Sequence, residues 1–202
     1  MGQIHTDYIG LTALTLVGLS WFIFAFIFLA RKKPPKAQEA KRAPVATWGI
    51  VLQGCGFALV WIVRRSYWWP FRESLTGEVV LACVAIVLAY GSNWLCLRAV
   101  QTLGKQWTYA ARVVEGHELI TEGPFSLVRN PIYLGMFGLM VATGLVLTAG
   151  WALALAVILF LMGNQVRISA EEKLLRETFG AKFDDYARRV PAFWPGFRGK
   201  KK

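Results

Sequence analysis

The stretch HELITEGPFSLVRNPIYLG, His117–Gly135, is polar and rich in turn residues, and it runs directly into an apolar segment. Gly123-Pro124 signals a turn. Asn130-Pro131 has the form of a helix start, with Asn at the cap and Pro at the first helical position. The helix that begins there reads as one half of an apolar hairpin, Pro131–Leu147 and Trp151–Val166, parted only by Thr148, Ala149 and Gly150. A polar segment kept at the mouth of such a hairpin points to an all-α membrane protein with its chemistry at the membrane boundary.

The rest of the chain supports that class. Of its 202 residues, 55% are hydrophobic, and the mean hydropathy is +0.43. Such values exceed what an ordinary soluble domain carries. A bilayer core about 30 Å thick needs about 20 apolar residues of helix. Tyr8–Ala30, Val45–Val63 and Val79–Leu97 each approach or exceed that length without a charged residue. With the shorter hairpin they predict a polytopic protein of about five transmembrane helices. Tyr8–Ala30 is read as a retained helix rather than a cleaved leader. No basic region precedes it, it is long for a leader, and Arg31, Lys32 and Lys33 follow it as a stop-transfer signal.

The net charge of +11 suggests a nucleic-acid binder until its distribution is read. Arg31, Lys32, Lys33, Lys36, Lys41 and Arg42 cluster between the first two spans. Further basic residues follow the third span and close the chain at Arg198, Lys200, Lys201 and Lys202. In the second loop Arg64, Arg65 and Arg72 are offset by Glu73 and Glu78. The positive-inside rule then places the first and third loops and the C-terminus in the cytoplasm and the N-terminus outside. Topology and anionic lipid account for the basic excess, and nucleic acid is not expected as a partner. Tyr67, Trp68, Trp69 and Phe71 fit an aromatic belt at the outer interface. Cys55, Cys83 and Cys96 all fall inside apolar spans without a CxxC spacing, and His5 and His117 are the only histidines. The cysteines are expected to be small buried hydrophobes, and no metal site is expected.

One domain over residues 1–202 is expected, with membrane helices in 1–100 and a catalytic region in 101–202. Lys32–Pro44 reads as a charged linker. Gln101–Asn130 is a connection long enough to be functional. Arg167–Val190 reads as a cytoplasmic helix with Leu175, Phe179, Phe183 and Tyr186 along one stripe, weakened at Gly180 and ended by Pro191.

Two clusters of residues are suited to chemistry. A helix start at Asn130-Pro131 offers free N–H groups and partial positive charge to an anion, beside Arg129. The alternative is an Asn that only caps and an Arg that snorkels to headgroups. Arg167 and Glu171 lie four apart and share a helix face, either as a solvated ion pair or as a charged pair at the cytoplasmic end of the fifth membrane helix, beside the motif loop.

The ordered pattern His-x-Leu-Ile-Thr-x-Gly-Pro-Phe-x-x-Val-Arg-Asn-Pro-x-Tyr-x-Gly resembles the cofactor segment of the isoprenylcysteine carboxyl methyltransferase family, integral-membrane enzymes that use S-adenosylmethionine. Arg167-x-x-x-Glu171-Glu172, Phe179-Gly180, Tyr186 and Val190-Pro191 follow in the order the family has them. The resemblance runs from Thr102-Leu103-Gly104 and Trp107 onward. It implies that a loop and the C-terminal helix form a cytoplasmic cofactor site. His117, Glu118, Leu119 and Ile120 would line the adenine side. Phe125 stands where the family usually has Tyr, and Asn130 where it usually has His. Asn130, Pro131, Ile132 and Tyr133 would meet the ribose or the methionine portion. Glu171 would accept hydrogen bonds from the cofactor, Arg167 would meet the acceptor carboxylate, Trp107 would contact the acceptor, and Glu172 would support them.

The activity so implied is methyl transfer from S-adenosylmethionine to a lipophilic acceptor, a prenylcysteine carboxylate in the first place, leaving S-adenosylhomocysteine. A carboxylate is already ionised near neutral pH and needs no general base, so positioning is the main task. A phospholipid N-methyltransferase shares the motif but must attack through a neutral amine. A steroid-reductase-like enzyme would need a nicotinamide dinucleotide, for whose second phosphate there is no clear basic cluster. A transporter would carry ionisable residues within its spans, and a scaffold would not need the ordered motif. The small size and short loops suggest a prokaryotic cytoplasmic membrane.

Overall fold

The computed structural model describes residues 2–30, 41–42, 45–64, 74–104, 112–113 and 118–196. Trp107 and His117 lie outside them. The described elements are α1 (Gly2–Leu29), β1 (Lys41–Arg42), α2 (Ala46–Ile62), α3 (Leu75–Leu103), β2 (Arg112–Val113), a 3-10 turn (Gly123–Ser126), α4 (Pro131–Leu147), α5 (Gly150–Phe179) and α6 (Ala181–Arg189). The all-α class holds, apart from the two-residue strands β1 and β2, which pair antiparallel and tie the first linker to the long loop.

Three stretches, Tyr8–Leu29, Leu75–Leu103 and Gly150–Phe179, are helical, long and apolar enough to cross a membrane. α2 and α4 are apolar but only 17 residues each. Around the bundle, Phe22, Phe26, Trp48, Val87, Trp94 and Ile158 are exposed. In a soluble protein such a surface would be an aggregation hazard, whereas in lipid it is the expected outer face. The cysteine expectation holds only for Cys96, because Cys55 and Cys83 sit on exposed faces where a small apolar side chain meets lipid equally well.

α4 is the central element. On one side Leu139 and Ala142 join Val17 of α1 and Ala85 and Ala89 of α3. On the other Met140 joins Val60 of α2 and Ala156 and Phe160 of α5. With lipid outside, no hydrophobic force separates helix from tail, so close packing and interhelical hydrogen bonds must hold the bundle. Small residues supply the first. A Cβ on Gly135 would come within 2.9 Å of Ser92 O, and one on Gly163 within 2.6 Å of Gly49 O. Trp21 Nε1 donates to Thr143 Oγ1 at 3.0 Å, and Thr148 Oγ1 donates to Val60 O at 2.6 Å.

The tail departs from the expected single helix over Arg167–Val190. α5 runs from the hairpin turn straight through to Phe179, so Arg167 and Glu171 stand on the same rod as the apolar half of the hairpin. The break comes at Gly180, whose φ of +52° glycine adopts readily. It redirects α6 so that Phe183 and Tyr186 are buried against the body of the protein. Arg176 Nε bonds Asp184 Oδ1 at 2.8 Å across that bend.

Candidate functional site

Tyr133, Arg167 and Glu171 come together where the first turn of α4 faces α5. The Tyr133 hydroxyl donates to Glu171 Oε1. Arg167 Nη2 lies 3.5 Å from the same oxygen, and its guanidinium carbon sits 4.6 Å from the centroid of the Tyr133 ring. Glu171 therefore receives a hydroxyl and a cation on one oxygen. Arg167 is 11% exposed and Glu171 23%, so of the two readings of this pair the solvated one gives way to a mostly buried one. Partly withdrawn from water, its charges act on one another and on a ligand more strongly than surface charges do.

Arg167 has a second neighbour that hydropathy did not reveal. Its Nη1 donates to Gln53 Oε1 at 3.2 Å, and Gln53 Nε2 lies 3.5 Å from Asn164 Oδ1. Gln53 and Asn164 are 3% and 2% exposed. Both are uncharged polar residues within apolar runs, and a buried amide in such a place is the signal that could have singled them out. Among the described residues Arg167 Nε is buried without a hydrogen-bond partner.

The residue next to Glu171 does something different. Glu172 accepts from Arg129, with Nε to Oε1 at 2.8 Å and Nη2 to Oε2 at 2.9 Å. Arg129 Nη1 also donates to Ala187 O and to Val190 O, and its backbone N–H to Pro191 O. Arg129 thus neither snorkels to headgroups nor waits for an anion, because its donors are spent on fastening the motif loop to α5 and to the end of α6. Asn130 occupies the N-cap position of α4 but makes no cap hydrogen bond, and its Nδ2 donates to Ala192 O at 3.0 Å. The expected capping side chain is used to anchor the C-terminal segment. The first-turn N–H groups of Ile132 and Tyr133 lack intrahelical acceptors as a result of their position.

The other expected contacts divide. Pro131 is buried at the first position of α4. Phe125 is buried, and its carbonyl accepts from Tyr186 Oη at 2.7 Å. Burial raises the pKa of the Tyr186 hydroxyl, which keeps it a donor. Ile132 points away from the Glu171 cluster, packing with Ile27 and Val100. Its side chain therefore cannot join Tyr133 and Glu171, because successive helical residues do not share a face. Glu118 is exposed, while Leu119 and Ile120 are half-buried. A groove of about 810 Å³ lies along α5, lined among others by Asn164, Ile168, Phe193 and Trp194. Neither Glu171 nor Tyr133 is among its walls, but Asn164, which bonds Gln53, and Ile168 and Phe193, which pack with Tyr133, are, so the groove adjoins the charged cluster.

A family profile described as phospholipid methyltransferase matches residues 80–182. The nickel-cobalt-cadmium resistance protein of Alcaligenes xylosoxydans xylosoxydans is 36% identical over 97 residues, covering 46% of this chain and 44% of that protein. The protein-S-isoprenylcysteine O-methyltransferase of Saccharomyces cerevisiae is 25% identical over 185 residues, covering 88% and 76%. Protein-S-isoprenylcysteine O-methyltransferase B of Arabidopsis thaliana is 34% identical over 134 residues, covering 65% and 62%. The first match thus spans less than half of its relative, whereas the yeast match runs through most of both chains. The profile takes in α4 and the α5 glutamates but leaves out Gln53.

Proposed function

This chain belongs to the phospholipid methyltransferase family, and we propose that it is a membrane methyltransferase that moves a methyl group from S-adenosylmethionine to a lipophilic carboxylate, such as that of a prenylcysteine. The observation that carries this reading is the convergence of Tyr133, Arg167 and Glu171 from two separated parts of one sequence pattern.

The residues present fit the cofactor. S-adenosylmethionine carries a cationic sulfonium and ammonium, a carboxylate, and an adenosine. Glu171 offers a carboxylate to its hydroxyl or ammonium groups, and the first turn of α4 offers N–H groups and partial positive charge to its carboxylate. Glu118, Leu119, Ile120 and His117 belong to the adenine side in this reading, and Phe125, Asn130, Pro131 and Ile132 support the wall by backbone and packing. When bound, the cofactor supplies a methyl carbon activated by the sulfonium. Arg167 holds the acceptor carboxylate, Trp107 contributes to acceptor binding, and Tyr133 fixes the Glu171 oxygen. No proton needs to move, because a carboxylate nucleophile is already ionised. Arg167 favours a carboxylate acceptor, since a guanidinium pairs with an anion in a two-pronged contact that a neutral amine cannot make. In the full proposal α1 to α5 all cross a prokaryotic cytoplasmic membrane, with the site and C-terminus cytoplasmic and the N-terminus outside.

The test is binding of S-adenosylmethionine to purified protein in detergent, then methyl transfer to a prenylcysteine and to phosphatidylethanolamine. Transfer to the prenylcysteine, lost in Arg167→Ala and Glu171→Ala, is expected. Undiminished transfer by both variants would overturn the assignment, and methylation of phosphatidylethanolamine alone would overturn the acceptor class.

A further inference from the structure

Arg167 is gripped from α2, a helix outside the segment that matches the family profile. Gln53 Oε1 accepts from Arg167 Nη1 at 3.2 Å. The Gln53 amide is itself oriented by Asn164 Oδ1 at 3.5 Å, one turn before Arg167 on α5. The two helices reach this range because glycine meets glycine at their crossing. A Cβ on Gly49 would lie 2.6 Å from Gly163 O and would collide with the Arg167 stem. A Cβ on Gly163 would lie 2.6 Å from Gly49 O and 2.9 Å from Gln53 N. The crossing thus places a buried, uncharged acceptor against a buried cation.

We propose that Gln53 is a positioning residue that holds Arg167 by Nη1, so that the guanidinium offers its Nε edge to the acceptor's anionic group. The inference rests on the reading of Arg167 as the acceptor-binding residue. A glutamine suits the task because it orients the cation without neutralising it. Nη1 is taken by Gln53, Nη2 faces Glu171, and the Tyr133 ring covers one face. Nε is buried and has no partner among the described residues. A guanidinium binds a carboxylate best through two parallel N–H groups, so its rotation must be fixed before the acceptor arrives. A carboxylate at position 53 would pair with Arg167 and compete with the acceptor.

Two variants separate positioning from packing. Gln53→Glu keeps the shape and the oxygen that accepts from Arg167, gives up the donor to Asn164, and neutralises Arg167. Gln53→Leu removes the polar grip. Both are expected to raise KM for the acceptor about tenfold while S-adenosylmethionine affinity stays within about twofold. An unchanged acceptor KM in Gln53→Glu would overturn the proposal, because a carboxylate paired with Arg167 would have to compete with the acceptor. A second readout does not depend on turnover. In protein labelled with ¹⁵N-arginine, with the signal assigned through Arg167→Lys, hindered rotation of the Arg167 guanidinium is expected in the unaltered protein and free rotation in Gln53→Leu. Equal rotation in both would overturn the proposal. If the unaltered protein methylates no acceptor, the functional reading fails, and the rotation measurement still decides whether Gln53 holds Arg167.

Discussion

Two neighbouring glutamates on α5 meet two arginines in opposite ways. Glu172 and Arg129 form a two-pronged pair, and the remaining Arg129 donor reaches the Ala187 and Val190 carbonyls. Glu171 and Arg167 touch loosely at 3.5 Å, share the Tyr133 hydroxyl and ring, and leave Arg167 Nε without a partner among the described residues. A saturated pair can only hold structure. An unsaturated one retains hydrogen-bonding capacity for a ligand. Adjacent positions with the same charge therefore divide into a fastener and a site.

Four substitutions probe that division, in decreasing order of expected effect. Arg167→Gln should lower kcat/KM for methyl transfer about a thousandfold, equivalent to about 4 kcal/mol, while stability falls by about 2 kcal/mol, less than in Arg129→Ala because the pair is looser and glutamine keeps a donor. Steady-state kinetics beside thermal melts would check this, and a melt that fell as steeply as activity would place Arg167 among the fasteners. Arg129→Ala should do the reverse. Losing one partner of a mostly buried ion pair costs about 3 kcal/mol, and the protease sensitivity of the C-terminal segment should rise. Tyr133→Phe removes only the hydroxyl from Glu171 and should reduce turnover about tenfold with little change in melting. Asn130→Ala loses one hydrogen bond to Ala192 O, worth about 1 kcal/mol, and should loosen the C-terminal segment without affecting the acceptor KM.

Much of this was legible in the sequence. Apolar runs gave the helical class, Asn130-Pro131 gave the start of α4, and spacing put Arg167 and Glu171 on one face. The place where α5 ends was not, because a change from apolar to charged residues marks the membrane surface and carries no information about where a helix stops. Gly180, with its positive φ, marks the actual stop. The use of Arg129 and Asn130 as anchors was hidden as well. Their partners are mostly backbone carbonyls near residues 187–192, and carbonyls have no side-chain signature. Gln53 was overlooked for a similar reason. One amide barely lowers the hydropathy of a span, and its importance lies in the helix crossing that brings it to Arg167.

The measurement closest to the central claim is the rate of methyl transfer from S-adenosylmethionine to a prenylcysteine by Glu171→Gln and Glu172→Gln, each at equal folded protein. The division of labour predicts that Glu171→Gln falls below about one-hundredth of the unaltered rate, whereas Glu172→Gln, once folded, stays within about threefold of it. Equal rates for the two variants, or full transfer by Glu171→Gln, would contradict it.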